Sequence, residues 1–269
     1  MLYYENPQGK LYHGDCLELM KNIPDGSVDM VLCDLPYGCT DYEWDVRIPF
    51  ESLWEQYKRI CKTNAPILLF GAQKFAVDTI ISNRKDFRYK IIWVKSKSLG
   101  FLDAKIKPLK QHEEILVFYK KLPTYNPQMS YSYHNRDEYP RKRKIGKCGL
   151  YNVEIGQIEG PRDGSRYPTD VIYFSNWNGV IFGNKNTKEN KINGGNNHPT
   201  QKPVPLLEYL IRTYSNEGET ILDNCIGSGS TAVAAHNTGR KWIGIEKEET
   251  FCEIAKKRIQ EAAEQGRLL

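Results

Sequence analysis

Four residues, Asp34-Leu35-Pro36-Tyr37, follow the strongly apolar run Val28 to Cys33 and combine a carboxylate, a carbonyl fixed by proline and an aromatic ring. Two acceptors beside a stacking plate suit a planar amine whose lone pair is delocalised into its ring. Accepting both amino hydrogens, through the Asp34 carboxylate and the Pro36 carbonyl, would favour the tetrahedral nitrogen that forms as such an amine attacks. That is transition-state stabilisation by preorganised acceptors. Stacking on Tyr37 would hold the ring, at about 1–3 kcal/mol. Taken alone, the same four residues also describe an ordinary turn at the end of a strand.

A second group lies near the carboxyl end: Asp223-Asn224-Cys225-Ile226-Gly227-Ser228-Gly229-Ser230-Thr231, followed by the small-residue stretch Ala232 to Asn237. Glycines between a strand and a helix let backbone approach a ligand at the helix amino terminus, and an acidic residue ending the next strand can take ribose hydroxyls. Glu246 stands in that place. Gly227-x-Gly229-x-x-Ala232 also fits a dinucleotide fingerprint, which keeps a nicotinamide dehydrogenase in view.

The elements that must carry these groups alternate in type. Apolar runs at Leu11 to His13, Val28 to Cys33, Ile67 to Phe70, Tyr89 to Val94, Ile115 to Tyr119, Thr220 to Leu222 and Trp242 to Ile245 predict seven strands. Between them, Leu53, Trp54, Tyr57, Ile60 and Cys61 share one helical face, as do Leu206, Leu207, Leu210, Ile211 and Tyr214. A third helix, from about Glu248 to Ala263, would bury Phe251, Cys252, Ala255, Ile259 and Ala262. This pattern predicts an α/β fold, a seven-stranded and mostly parallel sheet with helices on both faces. Ile115 to Tyr119 is expected as an antiparallel edge strand.

Composition narrows the setting. No apolar run approaches the ~20 residues that cross a bilayer, and Met1 to Glu5 lack the features of a secretory signal, so a cytoplasmic protein is expected. Seven cysteines without a C-x-x-C pair predict free thiols rather than a disulfide framework or a zinc site. No metal is expected. Between Lys121 and Gly195 there are 12 Lys/Arg against 7 Asp/Glu, an excess equal to the +5 of the whole chain. Ten aromatic residues, many Asn and Gly, and poor periodicity make that stretch an inserted, loop-rich region. Within it Arg141, Lys142, Arg143, Lys144 and Lys147 concentrate charge beside Tyr139 and Tyr151. Such a cluster neutralises phosphates without choosing a sequence.

Several motifs together resemble the amino-group DNA methyltransferases that use S-adenosylmethionine. Asp34-Leu35-Pro36-Tyr37 is similar to their Asp-Pro-Pro-Tyr tetrad, and His13-Gly14-Asp15-Cys16 through Ser27-Val28-Asp29 to its approach. Ile91 to Lys95 and His112 to Phe118 are similar to late strands, His198-Pro199-Thr200-Gln201-Lys202-Pro203 to the segment before a cofactor-side helix, and Gly227 to Thr231 to the cofactor loop. With the tetrad first and the glycine loop last, the order resembles the permuted β group. The tetrad departs at Leu35 and the loop at Asn224-Cys225, where Pro-Phe is usual.

The resemblance implies a Rossmann-like methyltransferase fold with a catalytic half over 1–122, a target-recognition insert over 123–195 and a cofactor-binding half over 196–269. It implies Asp34, Pro36 and Tyr37 as catalytic residues. Asp15, Asp34, Thr200, Lys202, Asp223, Cys225, Gly227, Gly229, Ser230 and Glu246 would bind S-adenosylmethionine, with Asp15 near its adenine and Glu246 on its ribose. Asp15 reads equally well as a cap for a helix starting near Leu17. The expected activity is site-specific methylation of adenine N6 in a nucleotide flipped out of double-stranded DNA, in a bacterial or phage-infected cell. Cytosine N4 is the alternative substrate, and a DNA-binding remnant without turnover is a third reading. A homodimer and a cognate restriction endonuclease are compatible partners; no membrane is.

Overall fold

The structure is a computed structural model that describes residues 1–40, 42, 45–131, 165–176 and 201–265. These form two compact units, Met1–Asn126 with Asp170–Leu269, and Pro127–Thr169. In the smaller unit the described residues include one antiparallel pair, β7 (Ser130–Tyr131) with β8 (Ser165–Arg166). None of the described helices is long and apolar enough to cross a membrane.

The larger unit is built on nine described strands: β1 (Leu2–Asn6), β2 (Gly9–His13), β3 (Met30–Cys33), β4 (Ile67–Gly71), β5 (Phe87–Leu99), β6 (Lys110–Phe118), β9 (Val171–Tyr173), β10 (Thr220–Asp223) and β11 (Lys241–Glu246). Their order across the sheet is β1-β2-β11-β10-β3-β4-β6-β5-β9. All seven expected strands are present, and β2, β11, β10, β3 and β4 run parallel. Two short strands extend the sheet at its margins. β1 pairs antiparallel with β2, and β9 pairs parallel with β5. β9 lies within the stretch read from composition as insert, yet it belongs to the main sheet.

One expectation is corrected. β6 is antiparallel, but it is an interior strand between β4 and β5 rather than an edge. Its Ile115, Leu116, Val117 and Phe118 are all fully buried, which requires cover on both faces and a partner on each side.

Strands buried on both faces explain why apolar runs do not alternate with polar residues. In β3, Met30 and Leu32 join a cluster with α4 (Val204–Tyr214), α5 (Ser230–Asn237) and α6 (Glu249–Gln265). Val31 and Cys33 point the other way, into a cluster with α1 (Cys16–Met20), α2 (Phe50–Ile60) and α3 (Gln73–Ser82). The described helices therefore cover both faces, three on each.

The connections after the two central strands diverge. β10 leads through α5 to β11 on one side, while β3 leads through α2 to β4 on the other. In open α/β sheets a crevice opens at such a switch point, outside the carboxyl ends of the strands. Because β2, β11, β10 and β3 are parallel, Asp15, Glu246, Asp223 and Asp34 all follow or end strands at that same edge.

Candidate active site

The carboxyl end of β3 delivers Asp34 into a network of charges. Tyr37 donates its hydroxyl to Asp34 Oδ1 at 3.2 Å, and the Lys202 ammonium contacts Asp34 Oδ2. Lys202 Nζ also lies 3.5 Å from Glu113 Oε2, while Lys95 donates to Glu113 Oε1 at 2.5 Å. Lys95, Glu113, Lys202 and Asp34 thus alternate in sign, and the first two are buried. Burial pushes the Asp34 carboxyl above the usual Asp value, with Lys202 opposing that rise. Burial also works against charge at Glu113, but the ammonium groups of Lys202 and Lys95 prevail and hold it below the usual Glu range.

Leu35 is 3% exposed and packs in the cluster beneath α1, α2 and α3. The departure at that position is therefore turned into the core, while Asp34, Pro36 and Tyr37 are half-buried. The Tyr37 ring stacks on Phe75 at 4.3 Å and 20°, and its carbonyl accepts from Arg47 Nε at 2.7 Å.

The turn after the tetrad is held by a residue that spacing did not reveal. Asp45 accepts from the backbone N–H groups of Gly38, Cys39 and Thr40 at 2.8–2.9 Å and from the Thr40 hydroxyl at 2.8 Å. Burial opposes its charge, yet these four donors outweigh burial and lower its pKa. A depressed folded-state value gives stability that is complete above the unfolded Asp value and is lost as pH falls through the folded value. Asp45→Ala is expected to cost on the order of 2–3 kcal/mol of stability at neutral pH, since hydrogen bonds to charged groups are the stronger kind. Urea unfolding measures this, and amide exchange at 38–40 should accelerate with it.

At the other side of β3 stands the glycine loop. Gly229 has φ +82°, and a Cβ there would lie 2.9 Å from Ala255 Cβ, so both conformation and packing against α6 require glycine. Glu246 fixes the loop from the next strand: Oε2 accepts from Gly227 N at 2.8 Å and Oε1 from Glu248 N at 2.9 Å. Burial raises its pKa against those bonds. Asp223 is turned inward, accepting from Cys225 N at 3.1 Å and from Thr231 Oγ1 at 2.6 Å, and burial pushes its carboxyl up to about 6. Asn224 is buried and accepts the Tyr57 hydroxyl at 2.5 Å, which anchors the loop where it departs from the usual pattern. Cys225 packs beside Cys16 and Cys33 in the cluster beneath α1 and α2.

Arg258 of α6 is a further residue that the sequence did not disclose. Its Nη1 donates to the Ser228 carbonyl at 2.6 Å, the Ser228 hydroxyl at 2.9 Å and the Ser230 hydroxyl at 3.0 Å. Arg258 thereby braces Ser228 and Ser230 from α6. Gln201 Oε1 accepts from Ser228 Oγ at 3.2 Å, and the adjacent Lys202 contacts Asp34, so this segment ties the glycine loop to the tetrad.

Asp15 caps α1 through Leu17 N at 2.9 Å and Glu18 N at 3.2 Å, but it remains exposed. The neighbouring Gly14 N donates to the Glu246 carbonyl at 2.9 Å, which brings Asp15 to the Glu246 end of the crevice. Capping and ligand binding are compatible for a carboxylate with free lone pairs. Thr200 and the basic cluster Arg141, Lys142, Arg143, Lys144 and Lys147 lie outside the described residues.

A nucleoside sulfonium fits these residues. Glu246 offers buried carboxylate oxygens, preset by backbone N–H groups, to hydroxyls, and Asp15 stands exposed at the same end of the crevice with acceptor capacity to spare. On the β4 and β6 side of Asp34, away from the glycine loop, a groove of about 800 Å³ is lined by Arg47, Gln73, Asp78, Lys110, His112 and Glu113 among others.

Comparison with known proteins bears on the family and the fold. A profile of the N6/N4 methyltransferase family, described as DNA methylase, matches residues 28–257. The Type II methyltransferase M2.LlaDCHI of Lactococcus lactis subsp. cremoris is 28% identical over 98% of this chain and 94% of its own length. M.HpaI of Haemophilus parainfluenzae is 27% identical over 93% of this chain and 74% of its own. Among solved structures, the M1.HpyAVI complex with SAM superposes with TM-score 0.58 at 18% identity, covering 93% of this chain and 98% of that one. The cytosine-N4-specific PvuII DNA methyltransferase gives 0.61 at 16%, covering 96% and 94%. These two likenesses show the fold. The nicotinamide reading falls away, because the matched profile takes in both the tetrad and the glycine loop. The chain belongs to the DNA methylase family of N6/N4 amino-methyltransferases, enzymes whose methyl donor is S-adenosylmethionine.

Proposed function

We propose that this enzyme methylates the N6 amino group of adenine, at a specific site, in a nucleotide flipped out of double-stranded DNA. The observation that carries the reading is the Asp34 carboxylate, held by Tyr37 at the same sheet edge as Glu246. A carboxylate heading the tetrad, rather than a serine, accepts an amino hydrogen with full charge. The cofactor supplies an electrophilic methyl group. Asp34 and the Pro36 carbonyl orient the amine, and Asp34 takes up positive charge as the nitrogen becomes tetrahedral. Glu246, Gly227 and Gly229, with Asp15, hold the donor on one side of β3. The target nucleotide approaches from the β4 side of β3, with Tyr37, braced on Phe75, as its stacking plate.

Nucleoside mass spectrometry of treated DNA is expected to show N6-methyladenine as the main product and no 5-methylcytosine. N4-methylcytosine alone would transfer the assignment to cytosine while keeping the acceptor chemistry. A 5-methylcytosine product would overturn both, since carbon methylation needs covalent attack on the pyrimidine ring.

In this reading the insert of residues 123–195 recognises the target, and the cluster Arg141 to Lys144 with Lys147 grips phosphates. Extraction of a base requires such a clamp. Replacing Arg141, Lys142, Arg143 and Lys144 by Gln should weaken binding to all sequences alike. It should also flatten log affinity against log salt, by up to ~0.9 for each phosphate no longer neutralised. An unchanged slope would remove the cluster from the interface.

A further inference from the structure

The Asp34 carboxylate already has a cation on it. Oδ1 takes the Tyr37 hydroxyl and Oδ2 takes the Lys202 ammonium, so the group that should receive the target amine is engaged at both oxygens. Methyl transfer also places positive charge on the amine nitrogen, and a lysine on the same carboxylate repels that charge. Close by is an acceptor with room. Glu113 Oε1 is held by Lys95, but Glu113 Oε2 is buried without a hydrogen bond and lies 3.5 Å from Lys202 Nζ. A small swing of the Lys202 head closes that gap to hydrogen-bond length. The Phe70 ring, 5.0 Å from Nζ, presents a π face that tolerates the cation at this position.

We propose that Lys202 is an exchangeable counter-ion: it guards Asp34 in the resting enzyme and passes to Glu113 Oε2 when the target amine arrives. Both residues are positioning residues, acting through Asp34. The exchange keeps the buried ammonium paired throughout, where moving it without Glu113 would leave an uncompensated charge. Glu113 also borders the groove between α3 and the β5–β6 strands, while its Oε2 is itself buried beside Lys202. This inference rests on the reading of Asp34 as the amine acceptor.

Single-turnover methylation at saturating cofactor tests it with Glu113→Gln, Lys202→Met, Lys202→Arg and the double variant Glu113→Gln/Lys202→Met. Glu113→Gln traps the ammonium on Asp34 and should slow the step by roughly tenfold or more, with cofactor affinity changed by no more than about threefold. Adding Lys202→Met should restore much of that rate, a sign-reversed coupling that independent structural roles do not give. Lys202→Met alone leaves the Lys95–Glu113 pair intact and keeps the test available if Glu113→Gln misfolds. It should be faster than Lys202→Arg, whose wider fork can bridge both carboxylates without leaving Asp34. A double variant no faster than Glu113→Gln, or a Lys202→Arg enzyme that outpaces Lys202→Met, overturns the exchange. Asp34→Asn with undiminished turnover would instead overturn the acceptor reading beneath it.

Discussion

Asp34→Asn is expected to lower methyl transfer by roughly 10²–10³-fold, the cost of removing one preorganised group aimed at developing charge. The affinity for S-adenosylmethionine should stay within a few-fold. The substitution is isosteric, so Tyr37 can still donate to the amide oxygen and the β3 turn keeps its shape. What disappears is the charge, and the new Nδ2 presents hydrogens to an amine that also presents hydrogens. Glu246 and the glycine loop on the far side of β10 are untouched. The wild-type pH profile should carry the same signature. Burial raises the Asp34 pKa, and the competent form is the carboxylate, so activity should fall on acidification from a limb above the usual Asp value. If Asp34→Asn abolished cofactor binding in a folded protein, the two halves of the site would not be separable as described.

How much of this was legible in the sequence follows from where each residue finds its partner. Asp34 and Glu246 were readable because each closes an apolar strand, and a parallel sheet sends such strand ends to one edge. Glycine at 229 was readable for a similar local reason, a tight turn into a helix. Glu113 was not readable as part of the site. In the sequence it sits beside Glu114 and His112 as one polar residue in a strand, and its meaning comes from Lys202, which approaches from another element. Asp45 and Arg258 are alike in this: one lies in a polar loop, the other on a charged helix, and only folding delivers the N–H groups or serine oxygens that they bind. At the sheet margins, β1 and β9 have five and three residues, too few for periodicity to separate from loop. β6 was misplaced because sequence order suggests hairpins, not insertion of the later strand between two earlier ones.

Glu246→Gln should be the mirror image of Asp34→Asn: cofactor affinity reduced by about 10²-fold, with turnover at saturating cofactor changed only a few-fold. The two oxygens of Glu246 are already committed, one to Gly227 N–H and the other to Glu248 N–H. A glutamine amide has one oxygen and one NH₂, so either orientation sets a donor against a backbone donor. Leaving such a buried group unpaired costs about 1–3 kcal/mol, and losing the charged acceptor for a ribose hydroxyl adds to that. At about 1.4 kcal/mol per tenfold, the combined loss amounts to roughly two decades in Kd. The direction of strain also matters. If the NH₂ faces Gly227, the glycine loop itself is displaced, and Gly229 cannot follow freely because it is packed against Ala255. Glu246→Asp separates these contributions: it retains the charge but shortens the reach, and should lose affinity through geometry alone. Isothermal titration with S-adenosylmethionine reads all three proteins. An unaltered Kd in folded Glu246→Gln would place the donor somewhere other than the loop that β10 and β11 present.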